Sequence, residues 1–194
     1  MLAIEKFGQF MANLFHRILH QWMGWRVEVT VPHRQKCIIC VAPHTSNWDF
    51  ILGELYYGSL GRKANFLMKK EWFFWPLGIL FRKLGGFPVY RSKHTSMTEQ
   101  LATQIKECEH LELAITPEGT RSLATNWKRG FYFIAMKAQV PIQLYDLDYK
   151  HKVIRCTKEL IPSGDVEKDM KIVMDYYRHS NAKYPEKFVV EKID

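Results

Sequence analysis

The sequence predicts a single α/β domain, with a mixed central sheet, helices on both faces and an amphipathic helix at the N-terminus. Three observations predict it. Short apolar runs such as Cys37–Ala42 alternate along the chain with longer segments of helical period, which is the pattern of a sheet covered on both sides. The 194 residues are 47% hydrophobic and 25% charged, ordinary globular values that suit one domain with a sizeable core. No repeat, low-complexity tract or Gly/Ser linker interrupts them, so the only expected boundary separates residues 1–24, an N-terminal interface helix, from a globular domain over 25–194.

Taken in order, Met1 to Arg26 sets Ile4, Phe7, Met11, Leu14, Ile18 and Trp22 at helical spacing, with Phe10, Phe15, Leu19 and Trp25 widening the apolar face. Glu5, Lys6, His16, Arg17 and His20 interrupt it, so no apolar run has membrane-spanning length and no signal-peptide core is present. Such a helix either lies in a membrane interface or docks on the domain's own core. Strands are expected near Trp25–Val31 and at Cys37–Ala42, then a helix from Ser46 to Leu60, a strand at Ala64–Met68 and a helical region to Leu84. Phe87–Tyr90 reads as a strand, Met97–Cys108 as a helix, and Leu113–Thr116 as a strand closed by Pro117. Gly130–Ala138 reads as a helix and Gln143–Tyr149 and Lys152–Cys156 as strands. Asp165–Tyr184 closes the chain as an amphipathic helix with Met170, Val173, Met174 and Tyr177 inward. Between Phe66 and Lys83, Trp72, Phe73, Phe74 and Trp75 stand among lysines and arginines. That mixture suits a lipid–water interface, and equally a core helix pair punctuated by Pro76 and Gly78.

The net charge of +8 admits nucleic acid, an anionic membrane or an acidic partner. The basic residues are spread out and no helix-turn-helix or RNA-recognition pattern is present, which argues against nucleic acid. Cys37-x2-Cys40 before His44 could be drawn as a zinc site. In a strand, however, a spacing of three points the thiols to opposite faces, so buried apolar thiols, and no metal, are expected. The cysteine pattern and the lack of a signal favour a reducing, cytosolic side. Gly-x-Ser-x-Gly, the phosphate loop and the dinucleotide fingerprint are all absent; Gly58-Ser59-Leu60-Gly61 has the wrong spacing.

The chemistry concentrates at His44-Thr45-Ser46-Asn47-Trp48-Asp49, directly after the Cys37–Ala42 strand. On one straight helix two residues five apart lie about 140° apart and cannot meet. Here Pro43 puts His44 on a loop, while Ser46 to Asp49 has the form of a capping box with Asp49 in the first helical turn. The helix dipole favours an ionised carboxylate there. Asp49 could then fix one imidazole nitrogen and leave the other free to take a proton, a general base with its orienter. The same two residues could instead be purely structural.

Three further segments accompany this pair: Gly85 to Arg91, Thr116-Pro117-Glu118-Gly119-Thr120-Arg121-Ser122, and Val140-Pro141-Ile142. In this order the four blocks, over residues 35–145, resemble those of the glycerolipid acyltransferases, typified by lysophosphatidic acid acyltransferases. His44 and Asp49 match the family's His-x4-Asp, Arg91 ends its second block, and Glu118 to Arg121 match Glu-Gly-Thr-Arg residue for residue. The fourth block is matched only in part, because Gln143-Leu144 replaces the usual second proline.

The resemblance implies a membrane-associated O-acyltransferase, with residues 25–194 as the acyltransferase domain. His44 would act as base on the acceptor hydroxyl and Asp49 would orient it. Arg91 and Arg121 would hold an anionic lysolipid headgroup, Gly119 and Thr120 would offer donors, and Lys69, which stands before the second block, would also bind substrate. Glu118 would either fix Arg121 or bind an acceptor hydroxyl. Lys128-Arg129-Gly130 would be a structural step, and backbone amides near Asn47 would supply the oxyanion donor. No cofactor is implied. The co-substrate would be an acyl thioester on coenzyme A or acyl carrier protein, and the site of action the cytoplasmic face of a membrane, reached as a peripheral or monotopic protein. Two other readings fit the residues: a thioesterase using the same base on water, and a non-catalytic membrane-binding protein.

Overall fold

A computed structural model of the chain describes residues 2–89 and 96–190. Seven strands form one sheet: β1 (Arg26–Val29), β2 (Lys36–Ala42), β3 (Asn65–Lys69), β4 (Gly86–Val89), β5 (Leu111–Ile115), β6 (Ile142–Asp148) and β7 (Val153–Leu160). Their order is β1-β7-β6-β2-β5-β3-β4. Every neighbouring pair is parallel except β6–β7, a hairpin joined by a tight turn, so the sheet is mixed. The helices are α1 (Leu2–His16), α2 (Asn47–Ser59), α3 (Leu77–Lys83), α4 (Met97–Glu107), α5 (Gly130–Ala138) and α6 (Val166–Tyr177).

β2 shows why the strand is apolar on both sides. Cys37 and Ile39 pack into one cluster with Leu52, Tyr56 and Tyr57 of α2, whereas Ile38, Cys40 and Ala42 pack into another with α4, α5 and α6. A parallel strand covered on both faces has no solvent side to alternate towards. The two cysteines therefore face opposite ways and do not converge with His44, and burial pushes the Cys40 thiol up to about 12.

The N-terminal helix docks on the domain's own core towards its C-terminal end. α1 continues as a wider π turn over Arg17–Trp22, and there Leu19 is fully buried in the α2 cluster. Phe15 lies on α2 at Gly58, where an added Cβ would fall 2.1 Å from the ring. The face is not buried throughout: Phe7, Phe10 and Trp22 are exposed. Among the described residues no helix is long and apolar enough to cross a membrane.

Two expectations are corrected. The closing helix stops at Tyr177 rather than Tyr184. Beyond it the chain turns to bond the sheet edge, with the Tyr149 N–H donating to Asn181 O and Asn181 Nδ2 donating to Asp148; the inward residues Met170, Val173, Met174 and Tyr177 are all buried. The region after β3 is not a core helix pair but a three-residue 3-10 turn (Lys70–Trp72) and the short α3, with Trp72, Phe74, Trp75, Ile79 and Leu80 exposed.

Candidate active site

β2 ends at Ala42, and residues 43–46 lead into α2. Ser46 caps that helix: its Oγ accepts the Trp48 N–H at 3.2 Å and its own N–H donates to Asp49 Oδ2 at 2.8 Å. The Thr45 N–H donates to the same oxygen at 2.8 Å. The loop is thus wound around a carboxylate only 4% exposed, in the turn where the helix dipole favours negative charge. The winding carries His44 back over Asp49, with Nδ1 3.2 Å from Oδ2. Nδ1 is buried, is not aligned with Oδ2 as a hydrogen bond, and bonds no other atom among the described residues.

Glu118 completes the floor. It follows β5 through the turn at Pro117, and its Oε1 accepts the His44 backbone N–H at 2.6 Å. Burial pushes its carboxyl up to about 7; the His44 N–H and ring pull it back, and the nearby Asp49 charge adds to the rise. Of the two roles open to Glu118, neither is its observed bond, because it holds the backbone of the base. Arg121 instead donates to Asn47 Oδ1 at the first turn of α2. Gly119, at φ +66°, takes the left-handed backbone that lets the chain pass from Glu118 to Arg121.

Behind the pair stands a residue that no motif announced. The Tyr149 hydroxyl donates to Asp49 Oδ1 across a sequence separation of 100. Tyr149 follows β6, and β6 pairs with β2 so that Asp146 lies opposite Ala42. Adjacent parallel strands release their loops side by side, which a linear reading does not show.

His44 and Asp49 stand at the mouth of a cavity of about 480 Å³ between α2 and the sheet. His44, Asn47, Gly119 and Arg121 line it at the C-terminal edge of the strands, and Val41, Phe50, Phe66, Ala114 and Leu147 line its walls. Tyr56 and Tyr57, in the last turn of α2, line it further on, so it follows the helix for about 15 Å from Asn47. Glu54 also lines it, its carboxyl pushed up to about 6 by burial.

Two candidates stand apart from this site. Lys69 is exposed at the end of β3 and does not line the cavity. Thr120 closes a local turn, its Oγ1 accepting the Ser122 N–H at 3.2 Å, and does not line the cavity either. Arg91 lies outside the described residues.

A family model described as Acyltransferase matches residues 26–143, more than half of the chain. It includes His44, Asp49 and Glu118 to Arg121 and stops short of Tyr149. No curated protein sequence matches the chain. Among solved structures the chain is similar to the 1-acyl-sn-glycerophosphate (LPA) acyltransferase PlsC from Thermotoga maritima, at 18% identity and a TM-score of 0.59 over 91% of this chain and 80% of that one. That likeness is one of fold.

Proposed function

We propose a specific reaction for this chain, which belongs to the acyltransferase family: transfer of a fatty acyl group from a thioester to the hydroxyl of an anionic lysolipid, of which lysophosphatidic acid is the type. One observation carries the reading. A His–Asp pair stands at the polar mouth of a long apolar cavity, which places a base where a hydrocarbon chain bearing a reactive end would lie.

With Nδ1 turned to Asp49, Nε2 of His44 is the nitrogen left to accept a proton. The acceptor oxygen attacks the thioester carbonyl as His44 removes its proton. The tetrahedral intermediate then expels the thiolate, which takes the proton from the imidazolium. Asp49 stabilises that imidazolium, and the Asn47 amide in the first turn of α2 is the candidate oxyanion donor. A positioned base contributes about 10²- to 10⁴-fold, and holding both substrates together supplies much of the rest. Arg121, at the rim, suits an anionic headgroup. A coenzyme A or acyl carrier protein thioester would be the donor.

Membrane association rests on two exposed aromatic groups. Phe7, Phe10 and Trp22 stand on the N-terminal helix, and Trp72, Phe74 and Trp75 follow the C-terminal end of β3, the sheet edge that also carries His44. The cytoplasmic face is the side on which such a peripheral or monotopic protein would act.

The test is mass spectrometry of lipids after incubating the pure protein with an acyl thioester and a panel of lysolipids, alongside His44→Ala. A diacyl product formed only by the unaltered protein is expected. Free fatty acid without product would support the thioesterase reading, and full transfer by His44→Ala would remove the base from the mechanism.

A further inference from the structure

We propose that Tyr149 is a positioning residue for this reaction, holding Asp49 so that its charge faces His44. The inference rests on the reading of His44 as the base. Asp49 is buried and its two oxygens are served differently. Oδ2 accepts the Thr45 and Ser46 amides and faces His44 Nδ1, whereas Oδ1 takes only the Tyr149 hydroxyl among the described residues. A buried carboxylate oxygen without a donor is strongly disfavoured, so this hydroxyl fixes which way the carboxylate turns.

Tyr149 is itself held on two sides. Its N–H donates to Asn181 O at 2.8 Å. Its ring meets the Trp25 ring edge-on, with centroids 5.0 Å apart, and the Trp25 N–H donates to Leu19 O at 3.0 Å in the last turns of the N-terminal helix. Burial raises the hydroxyl's pKa, which keeps it protonated and a donor. A group locked by backbone and ring contacts can hold a catalytic carboxylate within the narrow tolerance the chemistry needs.

The direction of the effect follows from charge. While Tyr149 draws on Oδ1, less of the carboxylate's charge is spent on the imidazolium. Removing the hydroxyl leaves more charge facing Nδ1 and favours the protonated ring, so the base becomes available only at higher pH. Glu118 acts on the pair and Tyr184 on Tyr149, while Arg121 lines the same cavity as the pair; burial raises the Glu118 carboxyl to about 7.

The experiment is Tyr149→Phe, which keeps the ring against Trp25, with kcat/KM for acyl transfer measured from pH 5 to 9 and the melting temperature alongside. The expected result is an acid limb moved up by about 0.5–1 pH unit and a plateau lowered about 10-fold, repeated in a Glu118→Gln background. Tyr176→Phe, which removes a hydroxyl bonded to the Thr157 N–H away from the site, should leave the profile where it was. An unmoved acid limb, whether the plateau falls or not, overturns the proposal, and so does a shift that vanishes in the Glu118→Gln background. If His44→Ala retains full transfer, it is the base assignment that fails, not the Tyr149 contact.

Discussion

Glu112 and Glu118 sit at opposite ends of β5, both nearly buried, and their surroundings differ in every respect. Glu112 is bonded by both arms of the Arg62 guanidinium and by the Tyr57 hydroxyl, with His33 Nε2 3.5 Å away. Glu118 has no lysine or arginine partner among the described residues; one backbone N–H is its hydrogen bond, the His44 ring offsets its charge only in part, and Asp49 adds like charge nearby. At one end a buried charge is neutralised and forms a brace between β5 and the end of α2. At the other it is left under-compensated beside a second carboxylate and a histidine. A fold tolerates such an arrangement where chemistry uses it.

Four substitutions test this contrast, in falling order of effect. His44→Ala should lower acyl transfer by about 10²- to 10⁴-fold while the melting temperature barely moves; a large fall in melting temperature would mean that this end of β5 is also a brace. Arg62→Ala leaves Glu112 without its cation and, with Arg62 partly exposed, should destabilise by about 2–3 kcal/mol. Calorimetry should then show a drop of about 4–12 °C, with kcat/KM of the folded protein unchanged. Lost activity in a well-folded Arg62→Ala protein would erase the distinction. Arg121→Ala should lower kcat/KM for an anionic lysolipid about 10-fold or more, with less change in donor hydrolysis, and an equal loss in both would move Arg121 to the donor.

The smallest effect is a pH effect. Because burial raises the Glu118 carboxyl to about 7, the folded chain holds a proton there that the unfolded chain has released above about 4.5. Stability therefore falls as pH rises from about 4.5 to about 7. Glu118→Gln removes this contribution and should flatten that decline by an amount on the order of 1 kcal/mol, read as denaturation midpoints at pH 5 and pH 8. A steeper decline in the variant would reverse the sign assigned here. Asp146, also raised by burial to about 6, remains in both proteins and cancels in the comparison.

Local chemistry was legible from the residues alone. The apolar run of β2, the proline that ends it and the Ser46-x-x-Asp49 cap place His44 over Asp49 with no long-range information, and α5 occupies Gly130–Ala138 as its period implies. Partnerships across the sheet were not. Tyr149 meets Asp49, and Arg62 meets Glu112, only because β6 and β5 flank β2, and strand order leaves no periodic trace. Lys69 shows the converse. Its place before the second block suggested a substrate contact, yet the end of β3 holds it clear of the cavity.

The place of β1 in the sheet carries a consequence for synthesis. Among the described residues β1 pairs only with β7, Arg26 opposite Val153, so the strand beside the N-terminal helix lacks that partner until about 127 further residues have been made. At ordinary rates of elongation that wait is about 6–25 s. Throughout it Phe7, Phe10 and Trp22 precede a strand that cannot yet join its sheet, and whatever surface the nascent chain meets first has that long to claim them.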